Sequence, residues 1–212
     1  MARSQSKSKG EQIMASSKGS DYERETCRKL SVWWSEEDRD DLFWRSAGSG
    51  AMAKTRSKIG KSTFGQYGDI QAVDPKGQLL LDTFTMELKR GYNSDNFMNM
   101  MDKKETAAKQ MWEKFFDQVH EDSINADSKT WMIIWRRDRK EALIYTPIKI
   151  IKQLSKAGSR LQDVPHMRGK VRLKEGKLMS IFFCALDDFL NVVDPEHIKT
   201  LWEKLGWNKA KK

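Results

Sequence analysis

The part of this chain that most constrains its fold lies near the middle, where the apolar spacing changes period. Between Lys103 and Asp122, the residues Ala107, Ala108, Met111, Trp112, Phe115, Phe116 and Val119 recur at intervals of three and four. That spacing predicts a helix buried along one side. The Met and aromatic stripe reads as core rather than as a cofactor pocket. Trp131-Met132-Ile133-Ile134-Trp135 follows as an unbroken apolar run of strand type. Arg136 to Lys140 forms a charged turn, and Ala142-Leu143-Ile144-Tyr145 returns as the hairpin partner of that run. Helix alternating with strand in this way places the chain in the α/β class.

The flanks are less regular. Residues 1–18 are rich in Ser, Lys and Gly and predict a disordered basic arm. From Asp21 the pattern turns helical as far as Trp34, with Ser20 or Asp21 as the N-cap. Leu42-Phe43-Trp44 predicts a short strand. Gly68 to Val73 predicts another, Asp74-Pro75-Lys76-Gly77 a turn, and Gln78 to Lys89 an extended segment with a bulge near Asp82-Thr83. Residues 147–212 predict a helix, a hairpin around Glu175-Gly176-Lys177, and two helices ending near Trp207.

Composition narrows the function classes. The 212 residues carry a net charge of +9, which favours a polyanionic partner. Mean hydropathy is −0.74, and no run approaches the ~18 apolar residues that a membrane helix needs. No signal peptide is expected, and the reading is of a cytoplasmic protein. Cys27 and Cys184 stand far apart without a CxxC partner, so neither a disulfide framework nor a zinc site is expected. His120, His166 and His197 are scattered, which argues against His-dependent catalysis. Gly60-Lys61-Ser62 suggests a phosphate-binding loop, but Thr55 stands where that motif needs glycine, so no nucleotide cofactor is expected. Between Gly48 and Gly68 the residues Lys54, Arg56, Lys58 and Lys61 are interleaved with Gly, Ser and Thr, and no acidic residue occurs from Arg45 to Tyr67. That loop is expected to contact a phosphate backbone.

Chemistry enters with Gly68-Asp69-Ile70 and Met86-Glu87-Leu88-Lys89. On a strand Glu87 and Lys89 project to one face, and Asp69 at the end of a neighbouring strand comes within reach of the same ion. Two carboxylates suit a hard divalent cation, and an adjacent ammonium can meet a phosphate. Upstream lie Gly19-Ser20-Asp21-Tyr22-Glu23-Arg24-Glu25, opening a helix, and Phe43-Trp44-Arg45-Ser46-Ala47-Gly48-Ser49, a strand running into a small polar loop. Glu25 can pair with Lys29 one turn on, which leaves Glu23 as the acid that turns inward. The order of Glu helix, Arg-Ser-x-Gly-Ser strand, Gly-Asp strand and Glu-x-Lys strand resembles the PD-(D/E)xK nuclease superfamily. Within it the order resembles that of the archaeal-type Holliday junction resolvases and their phage relatives, over roughly residues 18–146.

This resemblance implies a restriction-endonuclease-like central mixed β-sheet flanked by helices. It divides the chain into a basic arm (1–18), a nuclease core (19–146) and a C-terminal α+β extension (147–212) packed on the core or on a partner chain. Asp69, Glu87 and the Leu88 backbone carbonyl would ligate Mg²⁺ or Mn²⁺, with Glu23 completing the acidic cluster and Lys89 staying protonated beside it. Arg45, Ser46 and Ser49 match the family's loop beside the scissile strand. With Arg90 and the basic loop residues they make up the expected DNA contacts. The implied activity is phosphodiester hydrolysis by a metal-dependent, structure-selective DNA endonuclease, a homodimer acting on branched DNA. The alternatives are a duplex-cutting or nicking enzyme of the same fold, or a DNA-binding protein on an inactive one. The chain departs from the resolvases in a longer loop before Asp69 and a longer link from Asp69 to Glu87.

Overall fold

The computed structural model describes residues 9–46, 67–94 and 108–207, with side chains from Gly19 onward. Helix α1 (Lys9–Ser35) opens it and runs without a break through Gly19, Ser20 and Asp21. It therefore begins inside the segment expected as a disordered arm, and neither Ser20 nor Asp21 is a cap. A single Gly costs a helix only about 1 kcal/mol, less than tertiary packing returns. That packing comes from Tyr22, Cys27, Leu30 and Trp34, all buried along one side of α1. Ser31, also fully buried, accepts hydrogen bonds from the amides of both Leu42 and Phe43, each at 3.1 Å. Its hydroxyl thereby aims the next strand off the helix.

Strand β1 (Phe43–Arg45) pairs antiparallel with β2 (Ile70–Ala72), with Trp44 opposite Gln71. Asp74 then caps a single 3-10 turn over Pro75–Gly77 and is held by Arg39 at 2.9 Å. The next stretch corrects the sequence reading. Gln78–Thr83 is helical (α2), and strand β3 occupies only Phe84–Arg90. Three consecutive leucines are strong helix formers, and a Gln78 to Asp82 side-chain bond at 2.9 Å closes the turn. The alternation of Leu79, Leu81 and Phe84 was too short to separate the two periods.

Helix α3 (Met111–Asn125) begins later than expected. Gln110 and Glu113 form a capping box, and Ala108 to Gln110 is not helical. Residues 103–107 of the expected helix lie outside the described residues. Strands β4 (Thr130–Arg136) and β5 (Ala142–Pro147) form the anticipated hairpin. They are followed by α4 (Ile148–Ala157), β6 (His166–Arg172), β7 (Leu178–Ala185), α5 (Leu186–Val192) and α6 (Pro195–Lys204).

Five strands form one mixed sheet in the order β3-β4-β5-β7-β6, parallel between β3 and β4 and antiparallel elsewhere. Side chains alternate between its faces. Met86, Leu88, Met132, Ile134, Ile144, Phe182 and Cys184 pack with α1, α4 and α6. Trp131, Ile133, Trp135, Tyr145, Ile181 and Phe183 pack with the Trp112, Phe115, Phe116 and Val119 stripe of α3. Both cysteines are buried and free. The segment 147–212 does more than pack on the core, since β7 hydrogen-bonds to β5 within the same sheet. Among the described residues no helix is long and apolar enough to cross a membrane.

Candidate active site

Strand β3 is one edge of the five-stranded sheet, and the chemistry gathers along it. The Asp69 amide donates to the Met86 carbonyl at 2.8 Å, which joins β2 to β3. Gly68 makes this approach possible. Its φ is +80°, and a Cβ there would lie 2.5 Å from the Met86 oxygen. On the other side the Ser46 amide donates to the Asp69 carbonyl at 2.9 Å, and the Ser46 hydroxyl donates to the Gly68 carbonyl at 2.7 Å. Ser46 was expected to touch DNA. It is instead buried, and its hydroxyl holds the backbone that carries Asp69.

Asp69 and Glu87 are both buried. Asp69 Oδ2 accepts the Leu88 amide at 2.7 Å, so the carboxylate is clamped against β3 between Glu87 and Lys89. Burial raises the Asp69 pKa to about 6 against the opposing pull of the Leu88 amide and Lys89, and the charge of Glu23 adds to the rise. Burial likewise raises Glu87 to about 7, reinforced by the charge of Asp69. Lys89 bonds Glu87 directly and lies 4.8 Å from the centre of the Phe115 ring. Burial works against its ammonium, but Glu87 and Asp69 outweigh that, and its pKa ends above the ordinary lysine value. Lys89 is therefore charged at every pH where the site would operate.

Glu23 reaches the same region from α1. It is half-buried and lies 3.5 Å from Arg45, which also donates to the Ser20 hydroxyl at 2.8 Å. Burial raises its pKa, Arg45 opposes the shift, and the Glu87 charge adds to it. Glu23 thus senses Glu87 electrostatically, but among the described residues no group of three acidic or imidazole side chains is close enough to share one ion. Glu25 turns away, as expected. Its partner is not Lys29, because it takes a two-oxygen contact from Arg136 at 2.9 and 3.1 Å while Lys29 pairs with Asp187. Arg90 lies one residue past Lys89. It pairs with Asp138 at 3.2 Å and sits over the Tyr22 ring. Ser49, Lys54, Arg56, Lys58 and Lys61 lie outside the described residues.

Two residues of α3 escaped the sequence reading. The Gln118 side-chain amide donates to Glu87 Oε1 at 2.8 Å, so that oxygen is fixed by both Gln118 and Lys89. Asp122, one turn further on, is buried, and its charge raises the pKa of both Asp69 and Glu87. Both flank the apolar stripe of α3. No local pattern distinguishes them from ordinary polar neighbours of a buried face.

The donors fit a hard cation. Burial and neighbouring carboxylate charge make both acids harder to ionise, and a divalent ion held by them would offset that penalty. Comparison with known protein families gives a match over residues 14–200 to the family described as "Phage putative PDDEXK endonuclease". Neither the curated proteins nor the solved structures give a match. The family's span takes in Glu23, Asp69, Glu87, Lys89 and every strand of the mixed sheet. The chain belongs to the phage PDDEXK endonuclease family.

Proposed function

We propose that this nuclease is a divalent-metal-dependent DNA endonuclease that hydrolyses phosphodiester bonds in branched DNA, acting on four-way junctions as a homodimer. The observation that supports catalysis is the buried trio of Asp69, Glu87 and Lys89 on the sheet edge, held by backbone and side-chain bonds that a plain DNA-binding surface would not need. A bare acidic pair would repel DNA, so its presence in this setting argues for an ion. The junction preference is supported by the resemblance carried in Glu23-Arg24-Glu25 and Arg45-Ser46-Ala47-Gly48-Ser49.

In this reading Asp69, Glu87 and the Leu88 carbonyl would hold Mg²⁺ or Mn²⁺, which would supply positive charge beside the phosphate and make water there easier to deprotonate. Glu87 keeps one oxygen locked by Gln118 and Lys89, which orients the carboxylate before any ligand arrives. Lys89, permanently charged, meets a non-bridging phosphate oxygen as negative charge accumulates there. Glu23 positions Arg45, the last residue of β1, for contact with the scissile strand. Ser49, Lys54, Arg56, Lys58, Lys61 and Arg90 remain the proposed backbone contacts, and Ser46 passes to a positioning role.

The deciding measurement is cleavage of a labelled four-way junction beside a linear duplex of the same arms, with and without Mg²⁺, for the native chain and Asp69→Asn. Paired metal-dependent cuts confined to the junction and lost in the variant are expected. Equal cutting of the duplex would replace the junction reading with a duplex or nicking enzyme, and no cutting with any divalent metal would end the catalytic one.

A further inference from the structure

The nine net positive charges of the chain are not spread evenly. Between Pro147 and Lys177 nine Lys and Arg residues face only Asp163 and Glu175, so this short segment holds seven of the nine. Pairing adds to the contrast, although Lys114, Lys129, Arg137, Arg139, Lys140 and Lys204 outside the segment also lack a carboxylate partner among the described residues. Elsewhere Arg24, Arg28, Lys29, Arg39, Arg45, Lys76, Lys89, Arg90, Lys109, Arg136 and Lys199 are all engaged with carboxylates. Among the described residues, none of the nine in the Pro147–Lys177 segment has an acidic partner.

Six of them lie on α4 and β6, on the same side of the sheet. Lys149, Lys152 and Lys156 recur at i, i+3 and i+7 and are exposed, while Ile150, Ile151 and Leu154 bury the other side of α4 in the core shared with Phe182. On β6, Arg168 lies opposite Phe182, Lys170 opposite Ser180 and Arg172 opposite Leu178. Directly paired residues of antiparallel strands point to the same face. These three therefore share the α4 side of the sheet, whereas Val171 and Leu173 turn into the α3 core. All three are exposed. Strand β6 is the edge opposite β3, four strand spacings from Glu87, or about 19 Å.

A row of unpaired cations costs folding energy through self-repulsion and brings nothing to the core. We propose that the α4–β6 face is a second DNA-backbone surface, which holds double-helical DNA flanking the cut and acts through phosphate contacts alone. The inference rests on the nuclease reading for its choice of partner. It assigns to the Pro147–Lys177 segment a binding role distinct from the chemistry at β3. Lys and Arg that neutralise phosphates release the counterions condensed on the DNA, which gives sequence-independent affinity that falls steeply with salt.

The test substitutes Lys152→Glu, Lys156→Glu, Arg168→Glu and Lys170→Glu together, with a milder all-Gln version in case the first fails to fold. Affinity for a 40-base-pair duplex is measured in EDTA across a salt series, and single-turnover cleavage is measured at saturating DNA with metal. The expected result is a salt slope shallower by about 3.6 for the four substitutions, at roughly 0.9 per lost phosphate contact. Affinity at low salt should drop at least tenfold and the saturated cleavage rate should not change. Asp69→Asn should bind like the native chain. An unchanged slope and affinity would overturn the inference, as would a native chain that does not bind duplex at all. A saturated rate that falls with the affinity would place the face in the catalytic contact and overturn it as well. Failure of the nuclease reading would look different, with native protein that binds but never cuts.

Discussion

At the scale of the residue, the site is a compromise between burial and charge. Asp69 and Glu87 hold pKa values of about 6 and about 7 in the folded chain because burial favours the protonated form of both, helped by the charge of Glu23 at Asp69 and by that of Asp69 at Glu87. Both folded values lie above those of the unfolded chain, so the folded state binds more protons through this window. The metal-free protein is therefore expected to be most stable below about pH 4 as far as these groups are concerned, and to lose stability as pH rises towards 7. Thermal unfolding in EDTA across that range should show the decline, and it should flatten in Asp69→Asn. Adding Mg²⁺ or Mn²⁺ at pH 8 should raise the native Tm and leave the Asp69→Asn Tm unmoved, which reports the ion without relying on activity. Gln118→Ala removes one of the two groups that lock Glu87 and should lower the saturated cleavage rate about 10- to 100-fold while the far-ultraviolet spectrum stays native. A rate equal to that of the native chain would mean that Lys89 alone positions Glu87.

At the scale of the element, short-range backbone devices decide where the acids land. Gly68 is held in the left-handed region against Met86, and an alanine Cβ there would meet the Met86 carbonyl oxygen at 2.5 Å. Gly68→Ala should cost about 1–3 kcal/mol in denaturant unfolding and displace Asp69 from Leu88, so cleavage should fall together with stability. Ser31 offers a contrasting case far from the chemistry. Ser31→Ala would strand the amides of Leu42 and Phe43 in the core and should cost about 2–3 kcal/mol. The cleavage rate of the folded fraction should be untouched, because β1 reaches the site only through Arg45 and Ser46. If Ser31→Ala proves as stable as the native chain, the aiming role of α1 is wrong.

At the scale of the whole molecule, the sheet ties the two ends of the sequence together. Strand β7 lies between β5 and β6 and contributes Phe182 and Cys184 to one core and Ile181 and Phe183 to the other. Trp202 of α6 donates its indole N–H to Thr83, immediately before β3, at 2.7 Å. A chain cut after Tyr145 would expose both faces of β5 and leave that edge without its partner strand. It is expected to give no cooperative unfolding transition, which calorimetry on residues 19–146 would check. A stable, active fragment would show that the C-terminal strands are an appendage after all.

Particular residues show what was legible in advance. Glu87 and Lys89 could be assigned to one face of a strand because a period of two is a local property, and Phe43 and the Trp131–Trp135 run were recognisable as strands because a short unbroken apolar run is local too. The α3 stripe, the β4–β5 hairpin and the basic balance of the chain were equally readable, since each depends only on neighbours a few positions apart. Helix α2 was misread because six residues are too few for the two periods to diverge. Gln118 and Asp122 were invisible because their importance arises from Glu87 and Asp69, more than thirty positions away. The same holds for Ser46, whose hydroxyl is spent on a carbonyl that the sequence does not place beside it. By itself the sequence determined the periodicities, the charge and the identity of the reactive side chains. Only the tertiary structure decided which acids are buried together, which cations are left unpaired and which edge of the sheet each faces, because burial and electrostatic coupling act through space.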